Sequence, residues 1–131
     1  MTKTGIKKSG RDGALVVSTF PNSDIFSSIA RNLIMDKHLC ACINVIKINS
    51  LYFWGGKLEV HNEYMAIFKS TRNRVSTLMH EIEKIHPYEV PEIVELETDR
   101  FSKEYLSWLN SSTSDFTITS KKYNLKKNHG K

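Results

Sequence analysis

The chain has 131 residues, 25% of them charged and 40% hydrophobic, with a formal net charge of +5. That length suits one domain with short tails, and neither end carries an apolar signal core or a membrane-spanning run. The positive charge sits at the ends: residues 1–13 contribute +3, residues 111–131 contribute +4, and the body between them is left at −2. A nucleic-acid or anionic-membrane surface is therefore confined to the lysine-rich tails, where clustered amines would release condensed counterions.

Residues 1–13 and 111–131 read as basic tails without fixed structure, and residues 14–110 as the folded domain. Ala14–Phe20 is a short apolar run, a buried strand. Pro21-Asn22-Ser23 breaks it and offers a helix N-cap. Ile25, Phe26, Ile29, Ala30, Leu33 and Ile34 then fall on one helical face. Thr71 can cap a second helix whose apolar positions are Val75, Leu78, Met79, Ile82 and Ile85, ended by Pro87. Glu92–Glu97 alternates charge with Val94 and Leu96, as a half-buried strand does. Phe101 before Ser102, with Leu106 following, makes a hydrophobic staple for a last helix docked by Tyr105, Leu106, Trp108 and Leu109.

Between the first two helices lie two long runs, Cys40–Phe53 and Lys57–Ser70, joined at Gly55-Gly56. Two glycines tolerate positive φ at both central positions of a tight hairpin loop. Counting outward sets Phe53 opposite Leu58, Leu51 opposite Val60, Val45 opposite Ala66 and Ile43 opposite Phe68. One face then collects Ile43, Val45, Leu51, Phe53, Leu58, Val60, Tyr64, Ala66 and Phe68. The other collects Cys40, Cys42, Ile46, Ile48, Tyr52, Met65 and Ile67, together with Glu59, His61, Glu63 and Lys69. Helices cover one face of such a sheet, so a second apolar face needs another cover, most simply another copy of the chain. Arms of about 14 residues would reach about 45 Å, and their ends should outrun the domain. The element order predicts an α+β, ferredoxin-like βαββαβ sandwich with a C-terminal helix and a long hairpin between the second and third strands.

Five segments resemble one family, the CutA divalent-cation-tolerance proteins. Leu39-Cys40-Ala41-Cys42-Ile43-Asn44 is similar to their Leu-Ala-Ala-Cys-Val-Asn, and Tyr52-Phe53-Trp54-Gly55-Gly56-Lys57 to their Tyr-Trp-Trp-x-Gly-Lys. Phe68-Lys69-Ser70-Thr71 resembles their Ile-Lys-Thr-Thr, and Tyr105-Leu106-Ser107-Trp108 their Tyr-Leu-x-Trp. His86-Pro87-Tyr88-Glu89-Val90-Pro91-Glu92-Ile93 reproduces their most recognisable octapeptide. The likeness covers roughly residues 14–110. It implies a homotrimer whose long hairpins reach across subunits, a link to tolerance of divalent metals, copper especially, and no enzymatic activity. Cys40 departs from the small residue usual at its position.

Cys40 and Cys42 share a strand face in the counted register, with His38 ahead of them if the strand starts early. Thiolates and imidazole suit Cu(I) or Zn(II), and Met65 could add a thioether. Three neighbours on one strand face rarely close a tetrahedron, and the cysteines also read as small packing residues. Their spacing does not favour a disulfide, which fits a reducing, cytoplasmic setting. Lys69, opposite Cys42, would favour its thiolate. In the proline-stiffened loop after the second helix, His86 and Glu89 complete a candidate metal set with Cys42 and Cys40. Trp54, Glu63, Lys69 and Tyr88 are candidates for one ligand cleft if a neighbour's hairpin tip packs nearby. The structural alternative is that His86 closes the second helix at the negative end of its dipole. His61 and His80 read as surface residues.

Other uses of this fold fit less well. An RNA-binding module needs a basic and aromatic segment on the third strand, and Lys57–Lys69 has none, so a nucleotide- or RNA-binding role would rest on the tails. Phosphate hydrolysis wants an arginine loop after the first strand, where Asp24 stands instead.

Overall fold

The computed structural model describes residues 9–114. Strand β1 (Gly13–Phe20) leads to a short helix α1 (Phe26–Ala30) that widens into a π-helical turn (Arg31–Asp36). The hairpin follows as β2 (Cys42–Trp54) and β3 (Lys57–Thr71), then helix α2 (Arg72–Ile85), strand β4 (Ile93–Leu96) and helix α3 (Lys103–Ser112). The strands form one antiparallel sheet in the order β2-β3-β1-β4. This is the predicted ferredoxin-like sandwich, with the C-terminal helix and the long hairpin in place.

The hairpin register is the counted one. Trp54 pairs with Lys57, Phe53 with Leu58, Leu51 with Val60, Val45 with Ala66 and Ile43 with Phe68. Gly55 and Gly56 take φ of 60° and 83°, the left-handed values a two-residue loop demands and side chains resist.

Even-numbered residues of β1 and β3 face the helices. Val16, Phe20, Ala66 and Phe68 meet Ile29, Leu33, Val75, Leu78 and Ile82 in a single buried core. The α1 face is therefore as predicted, but its start is not: helix geometry begins at Phe26, and Ser23 contributes its carbonyl to the Phe26 N–H at 3.3 Å rather than a side-chain cap. Thr71 likewise makes no side-chain cap; its hydroxyl donates to Asn73 Oδ1 at 2.7 Å. The first N–H groups of α2 are met by the segment before β1, Arg72 N–H by the Asp12 carbonyl (2.8 Å) and Asn73 N–H by that of Gly10 (3.0 Å). Residues 9–13 thus belong to the folded body, as do residues 111–114 at the end of α3. The remaining tail residues, with the lysines assigned to them above, lie outside the described residues.

The exit from α1 corrects the reading of Cys40. Two residues past the π-helical turn His38 takes the left-handed region at φ 53°, and the Leu39 N–H reaches back to the Leu33 carbonyl at 2.8 Å. The chain reverses there, so β2 begins only at Cys42 and the strand alternation does not extend back through Cys40 or His38. Cys40 drops into the core with Leu33 and Phe68, fully buried.

On the other face, α3 covers the end of the sheet near Cys42. Leu109 is buried there, and Tyr105 lies under the Lys69 ammonium at 5.8 Å. In β4 the packing is the reverse of a simple apolar-inward alternation. Ile93 packs on the core, while Val94 and Leu96 point to the helix-free side and stay partly exposed. Beyond the domain, both faces of the hairpin are bare: Phe53 and Leu58 on one, Ile46 and Tyr52 on the other. Gly13 is needed where α3 approaches, since a Cβ there would lie 2.4 Å from the Phe101 ring. Gly13→Ala should lower the unfolding free energy by about 1–3 kcal/mol through overpacking, read as a fall in the urea midpoint.

Candidate functional site

The loop that joins α2 to β4 crosses the C-terminal end of β1, and its first residue is locked into the fold. His86 stacks on Phe20 with ring centroids 4.2 Å apart. The Tyr88 N–H donates to His86 Nδ1 at 3.2 Å, so Nδ1 carries no proton. The Ser18 hydroxyl spends its single proton on the Glu92 carbonyl at 2.6 Å. It is therefore the acceptor for His86 Nε2–H, 3.0 Å away. Both ring nitrogens are engaged and the ring is the neutral Nε2–H tautomer. Burial holds the His86 pKa below its ordinary value, against smaller opposing effects of a Thr19 backbone hydrogen bond and the Glu63 charge.

Two residues further on, Tyr88 reaches the opposite face of the sheet and donates its hydroxyl to Glu63 Oε2 at 2.5 Å. Glu63 is only 6% exposed. Burial and then the Glu63 carboxylate push the Tyr88 phenol well above its usual range, so it stays a donor. These two residues sit at the floor of a cavity of about 780 Å³ between the helix-free face of the hairpin and the 88–92 loop. Of the expected cleft residues, Trp54, Glu63 and Tyr88 line it, and so does Glu89 from the metal set. Lys69 does not; it lies under α3, across from Cys42. Glu59 and His61 also line the cavity, His61 bridging the Tyr52 hydroxyl (Nδ1, 2.9 Å) and Glu59 (Nε2, 3.4 Å).

The proposed metal ligands are thus dispersed within one chain. Cys40 is sealed in the core, where burial and the nearby Cys42 push its thiol up to about 12. Cys42 is half-buried beside Tyr105, His86 is engaged at both nitrogens, and Glu89 is exposed at the cavity wall. Among the described residues no three of His, Cys, Asp and Glu converge on a point, so these four do not fit a metal centre inside a single chain. Sequence reasoning missed Ser18, Glu92 and His61. The signal for Ser18 was a hydroxyl pair, Ser18-Thr19, inside an otherwise apolar strand. His61 was visible as one of three polar residues, Glu59, His61 and Glu63, on one strand face.

A ferredoxin-like sandwich whose β2–β3 hairpin outruns its own core, closed by a histidine loop over a cavity, defines the class of protein. The family is reached by comparison. Residues 14–112 match the family described as CutA1 divalent ion tolerance protein. The divalent-cation tolerance protein CutA of Thermotoga maritima is 42% identical over 98 residues, covering 75% of this chain and 96% of that protein. A CutA homolog of Xenopus laevis is 39% identical over 92 residues, and there the match spans 60% of the longer relative. Among solved structures, CutA1 of Ehrlichia chaffeensis superposes with a TM-score of 0.75 at 27% identity, over 81% of this chain and 99% of that one. The protein named periplasmic divalent cation tolerance protein CutA, from Archaeoglobus fulgidus, gives 0.73 at 28% identity, over 78% and 99%. The chain belongs to the CutA1 divalent ion tolerance family, which is named for tolerance and not for a catalysed reaction. No helix among the described residues is long and apolar enough to cross a membrane.

His86 gives this site a pH signature. Its folded pKa is depressed below the unfolded value, so the unfolded chain binds the proton more readily. Stability is complete above the ordinary histidine pKa and falls as pH drops through the depressed folded value. The urea midpoint of the protein should therefore drop between pH 7.5 and 5 by more than that of His86→Gln.

Proposed function

We propose that this chain is a non-enzymatic homotrimer serving divalent-cation tolerance, copper especially, and that it holds a metal ion or a small ligand in clefts between its subunits. The observation that carries this reading is the hairpin. Phe53 is 74% and Leu58 66% exposed on the face that the helices cover elsewhere. Leu51 and Val60 beside them are equally bare, and Ile46 and Tyr52 lie open on the reverse. Burying each such side chain contributes about 1.5–3 kcal/mol, so a handful per chain rivals the association cost of about 4–15 kcal/mol. β4 adds a second uncovered patch, with Val94 and Leu96 exposed on an edge strand. Family membership supports the same reading.

In this reading neighbours complete what one chain leaves apart. Glu89, exposed on the cavity wall, and Cys42, half-buried at the base of the hairpin, are the members of the metal set open to such completion. The two free cysteines suit a reducing cytoplasm. The cavity lining contains no lysine or arginine, which speaks against an anionic ligand there, such as a nucleotide or RNA.

Sedimentation velocity on the full chain should give one species of about three times the 15.1 kDa chain mass, and the double change Leu51→Asp with Phe53→Asp should shift it to monomer. A well-folded monomer at micromolar concentration would overturn the assembly. Titration of Cu(I), Cu(II) and Zn(II) should reveal a site tighter than about micromolar, roughly −8 kcal/mol. A trimer without such a site would remove the metal and leave the small ligand.

A further inference from the structure

Among the described residues six polar ones are more than nine-tenths buried: Ser18, Thr19, Glu63, Ser70, Thr71 and Thr113. Five are accounted for inside the fold. Ser18 donates to the Glu92 carbonyl, Ser70 to that of Leu39, Thr71 to Asn73 Oδ1 and Thr113 to the Leu109 carbonyl, while Glu63 accepts from Tyr88. Thr19 is the exception, its hydroxyl without a partner among the described residues. A buried polar group is paired as a rule, and an unpaired one bears the full loss of its hydration. Such a group marks a place where something from outside the chain belongs. Strand geometry says where it is aimed. Thr19 pairs with Met65 and, as an odd-numbered residue of β1, faces away from the helices. There it lines the 780 Å³ cavity together with Met65, Glu63 and Tyr88.

The cavity is long rather than round. Met65 pairs with Ile46, and Tyr52 and Trp54 line the same wall from six and eight residues further along β2, about 20 and 27 Å at about 3.4 Å per residue. A ligand that fills such a space is a chain, and the lining sets its chemistry. A hydroxyl both donates and accepts, as Thr19 does. The carboxylates are already held, Glu63 by Tyr88 and Glu59 by His61, so no bare charge calls for a cation. Each still has lone pairs that accept from a neutral O–H. No lysine or arginine stands among the lining residues to draw an anion. The aromatic faces of Tyr52 and Trp54 pack against flat apolar surfaces. Hydroxyls around the rim, C–H bonds on the ring faces and repetition along a line are the properties of a sugar chain.

We propose that this cavity binds a short linear chain of neutral sugars, one hydroxyl bonded to Thr19 and a ring laid against Trp54. The proposal names the small ligand of the cleft reading and rests on it, because the hairpin that forms the long wall is the part that neighbouring subunits hold. The competing occupant is water alone, which would leave Thr19 a packing residue with no part in binding.

Chemical-shift titration of the isotope-labelled full-length protein with cellotetraose and with maltotetraose separates these cases. The chain has two tryptophans, so each indole N–H is its own reporter. That of Trp54 should shift with at least one tetrasaccharide while that of Trp108, on α3, stays still, with a dissociation constant on the order of 0.1 mM. Glucose should bind at least about tenfold more weakly, because it cannot span the cavity. Thr19→Val should weaken the tetrasaccharide by about three- to tenfold, and Thr19→Ser should restore it. Trp54→Ala should weaken it by a similar factor, followed on the backbone amides. A Trp54 signal unmoved by both tetrasaccharides, glucose binding as tightly as they do, or unaltered binding in Thr19→Val would each overturn the proposal. Sedimentation of the same samples keeps the two readings apart: a trimer blind to both sugars sinks the saccharide alone, whereas a monomer sinks the shared cleft and the proposal with it.

Discussion

The structure depends on a ribbon that is apolar on both sides and longer than the body it grows from. At its base, β3 is a central strand, paired with β2 on one side and β1 on the other, and its even-numbered residues are roofed by α1 and α2. Toward Gly55 and Gly56 the same pairing continues with no roof. Backbone hydrogen bonds join the facing edges of the two arms to the tip, while the outer edge of β2, and of β3 beyond Tyr64, has no strand beside it among the described residues. Any burial of Phe53, Leu58, Leu51 and Val60 must come from outside the described residues, and that single fact shapes the proposed assembly and its clefts.

The second organising contact is the relay from Glu92 through Ser18 to His86 and on to Tyr88. It uses one polar hydroxyl in a buried strand to hold an imidazole flat on Phe20 and fix the path of the loop. Fixing His86 in turn places Tyr88 over Glu63. The loop is thereby a structural clasp on one face of the sheet and a cavity wall on the other. A residue such as His86 that looks free to ligate in the sequence is already saturated with partners in the fold, while Glu63, a cleft candidate in the sequence, is nearly buried and accepts the Tyr88 hydroxyl.

Much of the fold was legible in the chain. Two glycines between long runs set the register, because a two-residue loop at Gly55 and Gly56 pairs Trp54 with Lys57 and every further pair follows by counting outward. The apolar periodicity of α2 and the position of Pro87 likewise placed its end. The helix starts were less legible. Ser23 and Thr71 are good capping residues by type, but the segment from Gly10 to Asp12 supplies the acceptors for α2, a contact between residues about 60 apart in sequence. The candidate site was half legible: Trp54, Glu63, Tyr88 and Glu89 share a cavity, whereas Lys69 and Cys40 lie elsewhere.

By itself the sequence determined the element order, the hairpin register and the surplus of apolar surface, since these follow from periodicity and turn chemistry acting over a few residues. Only the tertiary structure decided which polar groups meet. A left-handed turn at His38 buried Cys40, and the crossing of the 86–92 loop over β1 joined Tyr88 to Glu63 across 25 residues of chain. Such meetings depend on where distant segments come to rest in three dimensions, and local pattern carries no record of that.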